Sequence, residues 1–206
     1  MERRPDSRGK VRDIYDAGEN LLMVATDRIS AFDFILPDEI PFKGEVLNRI
    51  SAFWFDKFAD IVPNHLVSID PADFPEEFAE YRDYLAGRAM LVKKAQTIPI
   101  ECIVRGYITG SAWESYEKDG TVCGHKVAEG LVESDKFPEP IFTPSTKAAE
   151  GHDINVDYEY VANEIGEELA SKVRDTTIAV YNLCADYARE RGIIIADTKL
   201  EFGLDE

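Results

Sequence analysis

Near its C-terminal end the chain passes from a long amphipathic helix pattern, closing at Arg191-Gly192, into Ile193-Ile-Ile-Ala196. It then enters Asp197-Thr-Lys-Leu-Glu-Phe-Gly203, where side-chain character alternates at every step. A period of two defines a strand, with Asp197, Lys199 and Glu201 on one face and Thr198, Leu200 and Phe202 on the other. The preceding run is apolar at every position and predicts a buried strand, so the charged strand should emerge from a core. Three charges of both signs at a core strand's end are costly unless they pair or hold a ligand. A carboxylate there suits Mg²⁺, which takes one or two carboxylates plus phosphate oxygens. A salt-bridged, solvated face satisfies the same spacing.

Elsewhere strand-like and helix-like periods alternate in irregular order, which predicts an α+β fold rather than a regular βαβ wind. Lys10 to Tyr15 and Leu21 to Thr26 flank Asp16-Ala-Gly-Glu-Asn20, predicting a hairpin with a five-residue turn. From Gly44 to Val62, Leu47, Ile50, Trp54, Phe58 and Ile61 recur at three- and four-residue steps, predicting an amphipathic helix stopped by Pro63. Pro75 opens a second helix over Glu76 to Leu85. Strands are predicted at Ala89 to Lys94 and Pro99 to Ile108, and a short helix at Ser111 to Lys118. The longest helix is predicted from Asp157 or Glu164 to Arg191, burying Leu169, Val173, Thr177, Val180, Cys184 and Tyr187. Trp54 and Trp113 read as core residues. A division near Lys94 to Pro99 separates an N-terminal β-rich lobe, 1–96, from a C-terminal α+β lobe, 97–206.

Charge narrows the function. Forty acids against 23 bases give a net charge of −17, a field that repels nucleic acid and anionic membranes. An anionic small substrate is compatible only where the bases cluster. No apolar run approaches the ~20 residues of a membrane-spanning helix, and Met1-Glu-Arg-Arg-Pro-Asp6 reads as no signal peptide. Three cysteines, Cys102, Cys123 and Cys184, lack metal spacing and fit reduced thiols in a cytoplasm.

Four further segments carry candidate chemistry. Gly9-Lys-Val-Arg12 places two bases on alternate positions after a glycine, an arrangement able to lie over phosphates and equally an ordinary edge hairpin. Glu101-Cys-Ile-Val-Arg105-Gly-Tyr-Ile-Thr-Gly110-Ser111 joins a strand to a helix, offering amides, Ser111 and Arg105 to a phosphate. A Ser111 N-cap with a structural arginine explains it as well. Thr143-Pro-Ser-Thr-Lys147, followed by Gly151-His-Asp153, is a hydroxyl-rich loop in which adjacent His152 and Asp153 cannot form a nucleophilic triad. Thr26-Asp-Arg-Ile-Ser-Ala-Phe-Asp33 reads as an Asp/Ser turn, and His65 as structural.

Taken in order, Gly9-KVRDIYD-16, Thr26-DRISAFD-33, Glu101-CIVRGYITGS-111, Phe142-TPSTKA-148 with Gly151-HD-153, and Ile194-IADTKLEFG-203 closely resemble the SAICAR synthetase family. The resemblance implies two lobes clasping ATP between them. It also implies an ATP- and Mg²⁺-dependent ligase of purine biosynthesis, joining the carboxylate of carboxyaminoimidazole ribonucleotide (CAIR) to the amino group of L-aspartate. By the same resemblance Lys10, Val11 and Arg12 lie over the ATP phosphates, and Lys93 with the segment to Glu101 forms a hinge beside adenine. Arg105 and Ser111 hold the phosphoribosyl part of CAIR. Asp197 and Lys199 line the imidazole-carboxylate site, Glu201 is the metal ligand, and Lys147 and Asp153 line the same cleft. Asp27, Arg28 and Ser30 are assigned to the aspartate side.

All three substrates are anionic, so Lys10, Arg12, Lys93, Arg105, Lys147 and Lys199 are expected to converge. The family pattern continues past the KLEFG strand, so the resemblance implies a chain truncated at the C-terminus. Two rival functions stay open: a non-catalytic purine-nucleotide-binding relative, and a small-molecule phosphotransferase. No oligomeric state is legible.

Overall fold

The computed structural model describes residues 2–31, 34–147 and 153–205. The chain divides into two compact units, Met1–Ala95 and Gln96–Glu206.

The first unit is built on a five-stranded antiparallel sheet in the order β1-β2-β3-β7-β6. Its strands are β1 (Ser7–Arg8), β2 (Arg12–Ala17), β3 (Asn20–Ala25), β6 (Leu66–Ser68) and β7 (Ala89–Lys93). Between β3 and β6 lie a small hairpin of β4 (Ser30–Ala31) and β5 (Phe34–Ile35), then helix α1 (Lys43–Lys57). The β2–β3 turn is tighter than predicted. Ala17 pairs with Asn20, leaving only Gly18-Glu19 in the loop, with Gly18 at φ 74, a conformation glycine takes without steric penalty. Tyr15, Leu22, Val24, Ala89 and Leu91 share one face of the sheet and pack against Phe74, Phe78 and Leu85. Phe78, fully buried, contributes roughly 1.5–3 kcal/mol by leaving water. Its segment is a 3₁₀ helix, Glu76–Tyr81, followed by a four-residue α2 (Arg82–Leu85), rather than the single predicted helix.

Helix α1 ends at Lys57, well before Pro63, and of the predicted stripe only Phe58, at its C-cap, is buried. Leu47 and Ile50 are exposed, whereas Gly44 and Asn48 are buried. The reason is polar. Asn48 Nδ2 donates to the carbonyls of Gly87 (3.0 Å) and Ala89 (3.1 Å), and a Cβ on Gly44 would come within 2.3 Å of the Ala25 carbonyl oxygen. Trp54 and Trp113 are half-buried rather than core, Trp113 lying against the small cluster of Ile108, Ala112, Val122 and Phe137.

The second unit is organised by β8 (Gln96–Tyr107). Along one edge it pairs with β13 (Asp197–Leu204); along the other it pairs with β11 (Lys136–Phe142) and β12 (Ser145–Thr146), each at its own end. Pro99 lies inside β8, where the sequence predicted the strand to begin. Proline has no N–H to give a ladder, and the β8–β13 register shifts there, between Glu201 and Gly203. Helix α3 (Ser111–Asp119) and the β9–β10 hairpin (Thr121–Val122, His125–Lys126) follow β8.

Of the two starts predicted for the longest helix the later is the nearer: α5 spans Glu167–Arg189, and α4 (Tyr158–Ile165) is a separate helix, broken from it at Gly166 with φ 84 and ψ 148. Ala170, Val173 and Tyr181 of α5 cover Ile98, Ile100, Cys102, Val104 and Phe142 of the sheet. Ile193 to Ala196 form no strand: Ile193 and Ile194 are exposed at 57% and 69%. A four-residue apolar run cannot by itself distinguish a buried strand from an exposed connection.

Candidate functional site

Period two in β13 survives intact, with Asp197, Lys199 and Glu201 exposed and Thr198, Leu200 and Phe202 partly buried. Antiparallel register then decides which residues of β8 join them. Asp197 is opposite Arg105, Lys199 opposite Ile103 and Glu201 opposite Glu101, and directly opposed residues share a face. Ser145 of β12 is likewise opposite Glu101. One face of this sheet is therefore a row of charges, and the other is the apolar floor under α4 and α5.

Each charge in the row has a partner. Arg105, its side chain 12% exposed, reaches Asp197 Oδ2 at 3.5 Å. Its Nε donates to Thr143 Oγ1 (3.2 Å) and its Nη2 to Ser111 Oγ (3.2 Å). Ser111 is not the helix cap: Gly110 holds that position, without a side-chain bond. Lys199 Nζ donates to Glu101 Oε1 at 2.8 Å, and Ser145 Oγ donates to Glu101 Oε2 at 3.1 Å. Glu101 is 7% exposed, so both of its oxygens need these donors. Lys147 pairs with Glu201 at the far end of the row. Asp153 is exposed beside β12, where Ile154 N donates to Thr146 Oγ1 and Asn155 bridges Ser145. Gly151, His152 and Asp33 lie outside the described residues.

Three acids and three bases alternate here with no net charge, and every pair is a cation and anion that a bound anion and its counter-cation could exchange into. Among the described residues no group of three His, Cys, Asp or Glu side chains is placed to enclose a metal ion. Glu201 and Glu101, opposed across the strands, form a set of two carboxylates. That fits Mg²⁺ when phosphate oxygens supply its remaining ligands.

In the first unit the expected bases separate. Lys10 and Val11 form the bend between β1 and β2, and Arg12 opens β2; Lys10 and Arg12 are exposed. Lys93 closes β7 opposite Asn20. Arg12 pairs with Ala25 at one end of the β2–β3 ladder and Ala17 with Asn20 at the other. The two sets of bases thus stand at opposite ends of the sheet, roughly 17 Å apart along five strand residues, and do not converge on one point.

Asp27, Arg28 and Ser30 are engaged differently from one another. Asp27 accepts from Gly44 N (2.8 Å) and faces Arg88 (3.2 Å). Burial disfavours its charged form, but the Gly44 amide and the Arg88 guanidinium more than offset this, and its pKa lies below the usual carboxylate value. Arg28 is buried and grips Asp13 with two nitrogens, at 2.7 and 3.1 Å. Ser30 is half-buried at the start of β4.

Asp13, Thr143 and Ser145 went unassigned in the sequence. Asp13 carries a signal in retrospect, because it shares the face of Tyr15 and Ala17, where an acid requires a buried partner. Among the described residues no helix is long and apolar enough to cross a membrane.

The SAICAR synthetase family model matches residues 6–206. The phosphoribosylaminoimidazole-succinocarboxamide synthase of Thermodesulfovibrio yellowstonii is 58% identical over 196 residues, 95% of this chain and 67% of that enzyme. Its counterpart in Desulforapulum autotrophicum is 59% identical over 198 residues, 96% of this chain and 67% of that enzyme. The SAICAR-synthase of Saccharomyces cerevisiae, solved in complex with SAICAR, superposes with a TM-score of 0.89 at 50% identity, covering 97% of this chain and 68% of that one. The chain thus spans about two thirds of the length of these relatives, and it belongs to the SAICAR synthetase family.

Proposed function

We propose that this chain carries the ATP-dependent ligation that its relatives are named for, joining the carboxylate of CAIR to the amino group of L-aspartate in purine biosynthesis. A carboxylate is a poor electrophile. The γ-phosphoryl group of ATP passes to a carboxylate oxygen of CAIR, releasing ADP. The aspartate amine then attacks the acyl carbon, orthophosphate departs, and the nitrogen loses a proton as the amide forms. Such transfers depend mainly on positioning and charge neutralisation.

The observation that carries the proposal is the ion-pair row on the β8–β13 face. Arg105, oriented by Thr143 and Asp197, presents its guanidinium with the Ser111 hydroxyl to the phosphate of the ribonucleotide. Lys199, on the buried anchor of Glu101, and Asp197 flank the reacting carboxylate, with Lys147 and Asp153 beside them. Glu201, with Glu101 across the ladder, would hold magnesium. The ion would supply charge neutralisation for the transferring phosphoryl group. In the first unit, bases at opposite ends of one sheet suit a ligand with two distinct ends. Lys10, Val11 and Arg12 serve the phosphates of ATP, and Lys93 serves the adenine end. A cytoplasmic location accords with these roles.

The test is ADP release with Mg-ATP, CAIR and L-aspartate, each omitted in turn. Ligation requires ADP only when all three are present. ADP formed without aspartate would indicate a phosphotransferase, and nucleotide binding without release would indicate a non-catalytic relative.

A further inference from the structure

The bend that carries Lys10 and Arg12 is held from beneath by two residues of the segment after β3. Arg28 Nε donates to the Lys10 carbonyl at 3.1 Å and its Nη2 to the Gly9 carbonyl at 3.2 Å. The Val11 carbonyl accepts from both Thr26 N (3.0 Å) and Thr26 Oγ1 (2.9 Å). Three consecutive carbonyl oxygens, Gly9, Lys10 and Val11, are thus turned toward Thr26 and Arg28. Both of these residues are buried, at 4% and 8% exposure. The same Arg28 neutralises Asp13, whose other cation, the largely exposed Arg8, stands at 3.7 Å.

We infer that Arg28 and Thr26 are positioning residues for the nucleotide-phosphate bend, and that Arg28 is not a ligand of the amino-acid substrate. This rests on the reading of Lys10–Arg12 as the phosphate-facing segment. A bidentate arginine buried against a carboxylate has little freedom to leave it, because separation would strand a charge in a poorly solvated place. The guanidinium has already committed Nε, Nη1 and Nη2 within the unit. Two consequences serve an anion above the bend. The negative ends of three carbonyl dipoles are capped by donors and face away from it, and the Asp13 charge is cancelled close by. Lysine at position 28 would preserve the charge but cannot span Asp13 and two carbonyls with one ammonium.

The test is equilibrium binding of Mg-ATP and, separately, of L-aspartate to the full chain. It compares Arg28→Lys, Thr26→Val and the double variant Lys10→Ala/Arg12→Ala, with amide hydrogen exchange read at residues 9–12. Arg28→Lys should weaken ATP binding about tenfold, and Thr26→Val severalfold. Both should speed exchange in the bend and leave aspartate binding unchanged, with Arg28→Lys lowering the melting temperature more than Thr26→Val because it gives up several buried hydrogen bonds. Thr26→Val keeps the inference testable if Arg28→Lys fails to fold. ATP affinity unchanged in both while Lys10→Ala/Arg12→Ala loses it overturns the positioning role and leaves the phosphate reading standing. ATP affinity unchanged in Lys10→Ala/Arg12→Ala removes the phosphate reading itself. Selective loss of aspartate binding in Arg28→Lys would return Arg28 to the substrate side.

Discussion

Gly106 follows Arg105 in β8, and its missing side chain is what lets Tyr181 of α5 sit under the sheet. A Cβ at position 106 would lie 1.9 Å from Tyr181 Oη and 2.7 Å from its Cζ. Both distances are far inside van der Waals contact. Tyr181 is 3% exposed, and its hydroxyl donates to the Ile195 carbonyl at 2.8 Å, so the ring has nowhere to retreat without breaking that bond. Gly106→Ala should therefore combine overpacking, about 1–3 kcal/mol, with the loss of a hydrogen bond, about 1 kcal/mol. The expected destabilisation is roughly 2–4 kcal/mol, a large part of a typical ~5–15 kcal/mol stability.

Tyr181→Phe alone loses only the hydrogen bond. Combined with Gly106→Ala it also removes the nearest clashing atom, so the double variant should be more stable than the sum of the two, by about 1–2 kcal/mol. Urea unfolding of all four proteins, followed by circular dichroism, supplies the cycle. A Gly106→Ala variant within about 0.5 kcal/mol of the parent, or strictly additive effects, would refute the close-approach argument.

Lys199→Met should lower three-substrate ADP release by about 10²–10³-fold, the scale of losing one charge-stabilising donor. The stability loss should stay well below the ~3–5 kcal/mol of a fully buried broken pair, because Lys199 is 51% exposed. Adding Glu101→Gln should restore stability without turnover, and recovered turnover would exclude Lys199 from the chemistry. His65, packed edge-on to Phe55 at 5.2 Å, has its pKa lowered, first by burial and then by the Arg12 charge. Its stability contribution is complete above the unfolded value near 6.5. As pH falls below that value the unfolded chain takes up a proton that folded His65 refuses, and the contribution is lost down to the folded pKa. Melting temperature between pH 7 and 5 should fall less steeply in His65→Phe than in the parent, and equal slopes would contradict this.

What was legible in the sequence followed periodicity. Asp197 to Phe202 could be placed on a two-faced strand because every residue voted for the same period, and the structure keeps that alternation. Val173, Thr177, Val180 and Cys184 were likewise correct for α5. Periodicity failed where a polar contact outweighed it. In α1 the apolar stripe gave way to Gly44 and Asn48, because close approach to Ala25 and bonds to two carbonyls set the helix's rotation. In the candidate site, the one-face grouping on β13 could be read, but its partners could not. Glu101 and Ser145 are brought to Lys199 by strand register alone. The bidentate bond of Arg28 to Asp13, 15 residues away, could not be read either, because nothing local reveals it.

The pairing of β8 with β13 also sets a timetable for synthesis. Glu101 and Lys199 are 98 positions apart, and at ~5–20 residues per second a ribosome takes roughly 5–20 s to cover that distance. Until this interval ends one whole edge of the central strand lacks its partner, and the ion-pair face lacks the β13 charges Asp197, Lys199 and Glu201. Contacts so distant in sequence are also slow to close once the chain is complete. The emerging chain therefore carries an open strand edge near a buried carboxylate that has not yet met its lysine, and chaperone capture should be strongest in that window.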